Sequence, residues 1–221
     1  MTASATDVSI SVKAGSTTRL RTRPVYLAAA WSGFFVMGIE LLGGRLLAPF
    51  FGSSVFVWGG IITVFMTCLS LGYLLGGYLS LSKPSLQRLG ALLVIEALLA
   101  APIVVYGSVT WEWLSYVVTD PRYGSLIGAL LIFGMPTLIA GMVSPYAVRL
   151  LIGSVQTAGH SAGRLYFVST FGSAAGTIIT SFYLVLWMPI DRIIECFIAA
   201  TMLLGVALLT FGKGISDAQN R

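Results

Sequence analysis

The chain has 221 residues, of which 57% are hydrophobic and 10% charged, with a formal net charge of +5. A soluble domain carries about 25% charged residues, so this composition, with a mean hydropathy of +0.91, excludes an ordinary water-soluble fold and points to the bilayer. The surplus Lys and Arg lie beside apolar runs, where anionic headgroups attract them, and form no nucleic-acid signature.

Residues 1–23 are rich in Ser, Thr and Ala without an apolar period and are expected to form a disordered cytoplasmic tail. A membrane domain follows over residues 24–212, and residues 213–221 form a second cytoplasmic tail. At about 20 apolar residues per span, six helices are predicted, over residues 25–48, 57–80, 89–106, 125–148, 165–187 and 193–211. The first apolar run, at about 24 residues, exceeds the h-region of a cleavable signal peptide and is expected to stay as a true span.

The first helix carries "ELLGGR", with Glu40 and Arg45 inside otherwise lipid-soluble sequence. A charge at the bilayer centre costs about 2.5–3.5 kcal/mol on insertion scales, so it usually turns inward and finds a partner. Glu40 lies about 12 Å from the outer helix end, and Arg45 is about 140° away around an ideal helix. Gly43 and Gly44 are therefore predicted to bend or unwind the helix and bring acid and base together. Arg45 either joins Glu40 inside or snorkels to the outer interface.

Residues 46–82 hold no charge at all, and the second helix within them carries Gly72 and Gly76. The fifth helix repeats the device with Gly172 and Gly176. Glycines four apart share a helix face and admit a neighbouring backbone, which places both helices in the bundle interior. In the third helix, Glu96 is a second intramembrane acid; it binds positive charge or relays protons with Glu40, or hydrogen-bonds to neighbouring helices. The following loop, "SVTWEWLSYVVTDPRYGS", reads as an aromatic segment in the headgroup region. The fourth helix ends "MVSPY", much as the first ends "LLAPF", and leads to "QTAGHSAGR", where His160 is expected as a solvated loop residue. Arg192 and Glu195 read as interfacial. Cys68 and Cys196 occupy different spans without metal-type spacing and are expected to pack as small apolar residues, so no metal site is predicted.

Ten basic residues, Lys13, Arg19, Arg21, Arg23, Lys83, Arg88, Arg149, Arg164, Lys213 and Arg221, fall on one side of this topology, against Arg122 and Arg192 on the other. The positive-inside rule then places both termini in the cytoplasm. With three spans per unit the second unit is upside down, an arrangement many transporters use around a central site. The expected fold class is all-α: a polytopic membrane helix bundle of about six spans with an inverted 3+3 repeat.

Three blocks, "RLLAPFFGSSVFVWGGIITVFMTCLSLGYLLGGYLS", "GMVSPYAVRLL" and "GRLYFVSTFGSAAGTIITSFYLVL", resemble the membrane domain of the transmembrane spermidine-synthase-like proteins, a transporter-like region usually fused to a spermidine synthase. The resemblance implies a soluble aminopropyltransferase-like half using decarboxylated S-adenosylmethionine; that cofactor is expected in a partner, none in this chain. The glycine pairs here lie in membrane helices without a βαβ context, so no catalytic residue is assigned. The expectation is a membrane subunit of a split system, in a bacterial inner membrane, docking a soluble spermidine-synthase-like partner through Arg88, Arg149 and Arg164. Glu40, Arg45 and Glu96 would bind an amine substrate or product. The alternative is a stand-alone or homodimeric transporter of a polyamine-like solute.

Overall fold

The structure, a computed structural model, describes residues 5–82, 84–152 and 155–219, with side chains over 22–82, 84–152 and 158–213. Among the described residues there are six long helical rods: α1 (Ala5–Phe51), α2 (Val55–Ser80), α3 (Leu86–Val117), α4 (Pro121–Leu151), α5 (Val155–Ile179) and α6 (Ile190–Gln219). A π-helical turn, Thr180–Leu184, carries α5 on into Val185–Trp187. Each rod contains a stretch long and apolar enough to cross a membrane, and the protein is an all-helical integral membrane protein.

Local chemistry sets the helix ends. Gly52, at φ +80°, ends α1 in the left-handed conformation, its N–H donating to the Ala48 carbonyl at 2.9 Å. Ser85 caps α3 by accepting from the Arg88 N–H at 3.3 Å. Asp120 caps α4 by accepting from the Arg122 N–H at 2.9 Å, with Pro121 at the first helical position, where a missing N–H is harmless.

Two segments expected as loops are helical. The aromatic loop after the third span is a continuation of α3 to Val117, and Trp111 is a buried core residue rather than a headgroup anchor. Residues 108–119 contain neither Gly nor Pro, so the helix runs on. The Trp111 indole N–H finds the Gly128 carbonyl at 3.2 Å across the α3–α4 contact. Second, His160 is exposed on α5 rather than in a loop. The tail expected over 1–23 lies largely outside the residues whose side chains are described; α1 begins at Ala5. The tail over 213–221 stands likewise, with α6 reaching Gln219.

Packing divides the bundle into two ends. One core, around Val25, Leu89, Tyr146, Leu165 and Leu208, joins the start of α1, α3 and α5 to the end of α4 and α6. The other, around Leu47, Val57, Phe65, Trp111, Phe133 and Ile193, joins the opposite ends. The rods therefore alternate in direction, and α4 is the most enclosed of them, α5 the least.

The closest approaches are made by the paired glycines. A Cβ at Gly72 would strike the Leu138 carbonyl oxygen, and one at Gly76 would strike the Met142 backbone, so α2 lies directly on α4. At Gly172 and Gly176 the same addition would strike the Ala30 and Phe34 carbonyl oxygens, so α5 lies directly on α1. The glycine spacing thus marks contact stripes, but α2 and α5 flank the bundle instead of filling its interior. Between them α1 crosses α4, where the Ser32 hydroxyl donates to the Ala140 carbonyl at 3.2 Å. Gly72→Leu or Gly172→Leu is expected to lower stability in detergent by about 1–3 kcal/mol or more through overpacking. Gly77→Leu, with open space around its Cβ, is expected to leave the unfolding temperature unchanged.

Candidate functional site

The residues expected to form one site, Glu40, Arg45 and Glu96, make no ion pair with one another. The α1 helix is regular through Gly43 and Gly44, which serve close packing: a Cβ at Gly43 would lie 3.1 Å from the Phe133 ring, and one at Gly44 would collide with the Trp58 ring. The helix is neither unwound nor turned to bring Arg45 to Glu40. Glu40 is half-buried and Arg45 exposed, and neither makes an ion pair; among the described residues the one salt bridge is Arg192 to Glu195 at 2.9 Å. Glu96 is fully buried on α3, with both carboxylate oxygens lacking a hydrogen-bond partner. Arg88, Arg149 and Arg164 are all exposed. The Arg88 guanidinium donates to the Ser82 carbonyl and hydroxyl, and that of Arg164 stands 5.6 Å from the Tyr26 ring centre.

What the helices do assemble is a cleft of about 170 Å³ at the α1–α4 crossing, opening between α2 and α5. Its polar lining is all hydroxyl: Ser32 from α1, Tyr73 from α2, Ser144 from α4, Ser169 and Ser173 from α5. Ser144 and Ser169 Oγ atoms stand 3.5 Å apart across the α4–α5 contact. Ser32 and Ser173 spend their protons on the carbonyls of Ala140 and Ser169, at 3.2 Å each. Their lone pairs remain for a guest, so these two serines offer acceptors to a ligand that donates hydrogen bonds. The volume is below the range of drug-sized pockets, which limits that ligand to a small molecule.

These serines went unremarked in the sequence, where they are scattered over three helices; the one local cue is Ser169 and Ser173, four apart on one face of α5. A second cavity, of about 400 Å³, lies near the other end of the bundle between α1, α3 and the start of α6. Arg45 lines it together with Asp191. Neither Glu40 nor Glu96 lines either space. Among the described residues no group of His, Cys, Asp and Glu is placed to hold a metal ion.

Compared with family models, curated proteins and solved structures, the chain matches none.

A buried polar group without a partner costs about 1–3 kcal/mol. Glu96→Met, close to isosteric and apolar, is therefore expected to raise the unfolding free energy in detergent by that amount. Glu96→Gln, which leaves an amide equally unpaired, is expected to give no such gain.

Proposed function

We propose that the protein handles a small hydrogen-bond-donating solute in the hydroxyl-lined cleft, as a transporter-like membrane protein built from two inverted three-helix units with both termini in the cytoplasm. One observation carries this reading. Pairing α1 with α4 and α2 with α5 sets Ala30 and Phe34 against Leu138 and Met142, and Gly72 and Gly76 against Gly172 and Gly176, so each glycine crossing becomes the other. The same pairing sets Ser32 against Ala140, Val36 against Ser144, Leu69 against Ser169 and Tyr73 against Ser173, all of which line the cleft. The cleft therefore sits where the two units meet, the usual position of a transporter's substrate site. Pro49 and Pro145 fall at different points in this pairing, so the likeness of the units rests on the glycines and not on the proline motifs.

Orientation rests on the distribution of Lys and Arg. The solute class, amines being the one the resemblance implies, suits the acceptor-rich lining, whereas Glu40 and Glu96 lie elsewhere. A second reading keeps the soluble partner: Arg88, Arg149 and Arg164 are exposed at the end of the bundle that the termini share. A spermidine-synthase-like protein, itself the holder of decarboxylated S-adenosylmethionine, would dock there, its acids against these cations. Stoichiometric recovery of such a protein with the tagged chain in mild detergent would support that reading.

Solvent access tests the first. In a Cys68→Ala, Cys196→Ser background, Ser173→Cys is expected to react with a membrane-impermeant methanethiosulfonate from one side of sealed vesicles. Phe171→Cys, on the lipid-facing side of α5, is expected to stay unmodified. A Ser173→Cys thiol inert from both sides would mean a dry cleft and end the solute reading.

A further inference from the structure

Arg45 and Asp191 form the other unassigned feature. They face one cavity from two helices, Arg45 from the last turns of α1 and Asp191 from the first turn of α6, without pairing. The neighbouring charges at this end are mostly engaged. Arg192 holds Glu195, the Arg122 guanidinium lies 4.4 Å above the Phe56 ring centre, and Asp120 caps α4. Glu112 is exposed and lies outside the cavity lining.

The space between the two charges is shaped. Trp111 forms a fixed wall, its indole held by the Gly128 carbonyl and packed against Phe50 at 6.2 Å and Phe133 at 5.8 Å between ring centres. Ile103 adds apolar surface and Ser108 a hydroxyl. At about 400 Å³, the cavity is within the range of small-molecule sites, which are mostly apolar with a few directed polar groups.

A guanidinium presents a planar fork of donors suited to a carboxylate or phosphate, and a carboxylate suits an ammonium. Lining one cavity together with apolar surface and making no ion pair, the two are each left without a counter-charge that a single guest bearing both charges would supply. We propose that this cavity binds a small zwitterion, with its anionic group on Arg45, its ammonium on Asp191 and its apolar body against Trp111. Two sources present that chemistry: a free amino acid from water, or the headgroup of an ethanolamine phospholipid from the bilayer.

The site is separate from the hydroxyl-lined cleft, so its test is independent of the function proposed above. Purified protein in detergent would be titrated calorimetrically with leucine, with its single-charge halves isovalerate and isoamylamine, and with dihexanoyl phosphatidylethanolamine. Leucine or the ethanolamine lipid is expected to bind at least tenfold more tightly than either half, and which of the two binds identifies the source. Arg45→Gln and Asp191→Asn, both at exposed positions, are each expected to weaken that binding at least tenfold while leaving the unfolding temperature of the free protein in place. The exchange of both charges, Arg45→Asp with Asp191→Arg, is expected to recover part of the affinity. Absence of binding by both zwitterions, or binding indifferent to the two substitutions, would overturn the proposal.

Discussion

Close backbone contact at glycine is the constraint on which the rest of this bundle depends. In lipid the apolar surfaces of helices gain little by leaving one solvent for another, so association relies on van der Waals packing and on residues small enough to let backbones touch. Gly72 and Gly76 bring α2 onto α4, and Gly172 and Gly176 bring α5 onto α1. Those two contacts fix where α1 and α4 cross, and with it the Ser32 to Ala140 hydrogen bond. The cleft is what remains between four helices clamped in this way. Its location follows from packing, and its chemistry from the hydroxyls that happen to face it.

The two cavities differ in the kind of polarity they hold. The cleft holds hydroxyls, where Ser32 gives its proton across the crossing to the Ala140 carbonyl and Ser173 gives its own to Ser169 within α5. The unpaired opposite charges Arg45 and Asp191 share a separate cavity. Glu96 stands apart from both, sealed within α3's contacts with neither oxygen bonded. Uncharged and charged chemistry thus occupy different depths and different helix pairs. Of Glu40, Arg45 and Glu96, Arg45 alone lines either cavity.

The six rods were legible because apolar length alone forces them: at 1.5 Å per residue only long uncharged runs cross a bilayer. The glycine stripes were legible because spacing by four is a property of one helix. Sites made by several helices were not. An aromatic near a helix end reads the same whether it meets headgroups or a neighbour, and only the Gly128 carbonyl opposite it makes Trp111 a core residue. Gly43 and Gly44 read as a weak point in α1, while in the fold they are the space that the Phe133 and Trp58 rings occupy. Arg45 sits five residues beyond Glu40, yet its cavity partner lies far along the chain at Asp191, a separation no local pattern discloses.

The contact order of the glycine crossings bears on how the chain is made. The helix that covers Gly72 and Gly76 follows them as α4, and the one that brings Gly172 and Gly176 to α1 comes later still as α5. At ordinary translation rates α1 waits on the order of ten seconds for α5, holding a bare carbonyl stripe against lipid or the insertion machinery. Neither half of the chain owns a partner for its own glycines or for the backbone they cover. Helices that enter the membrane one by one become this bundle only when the second three arrive to interlock with the first three.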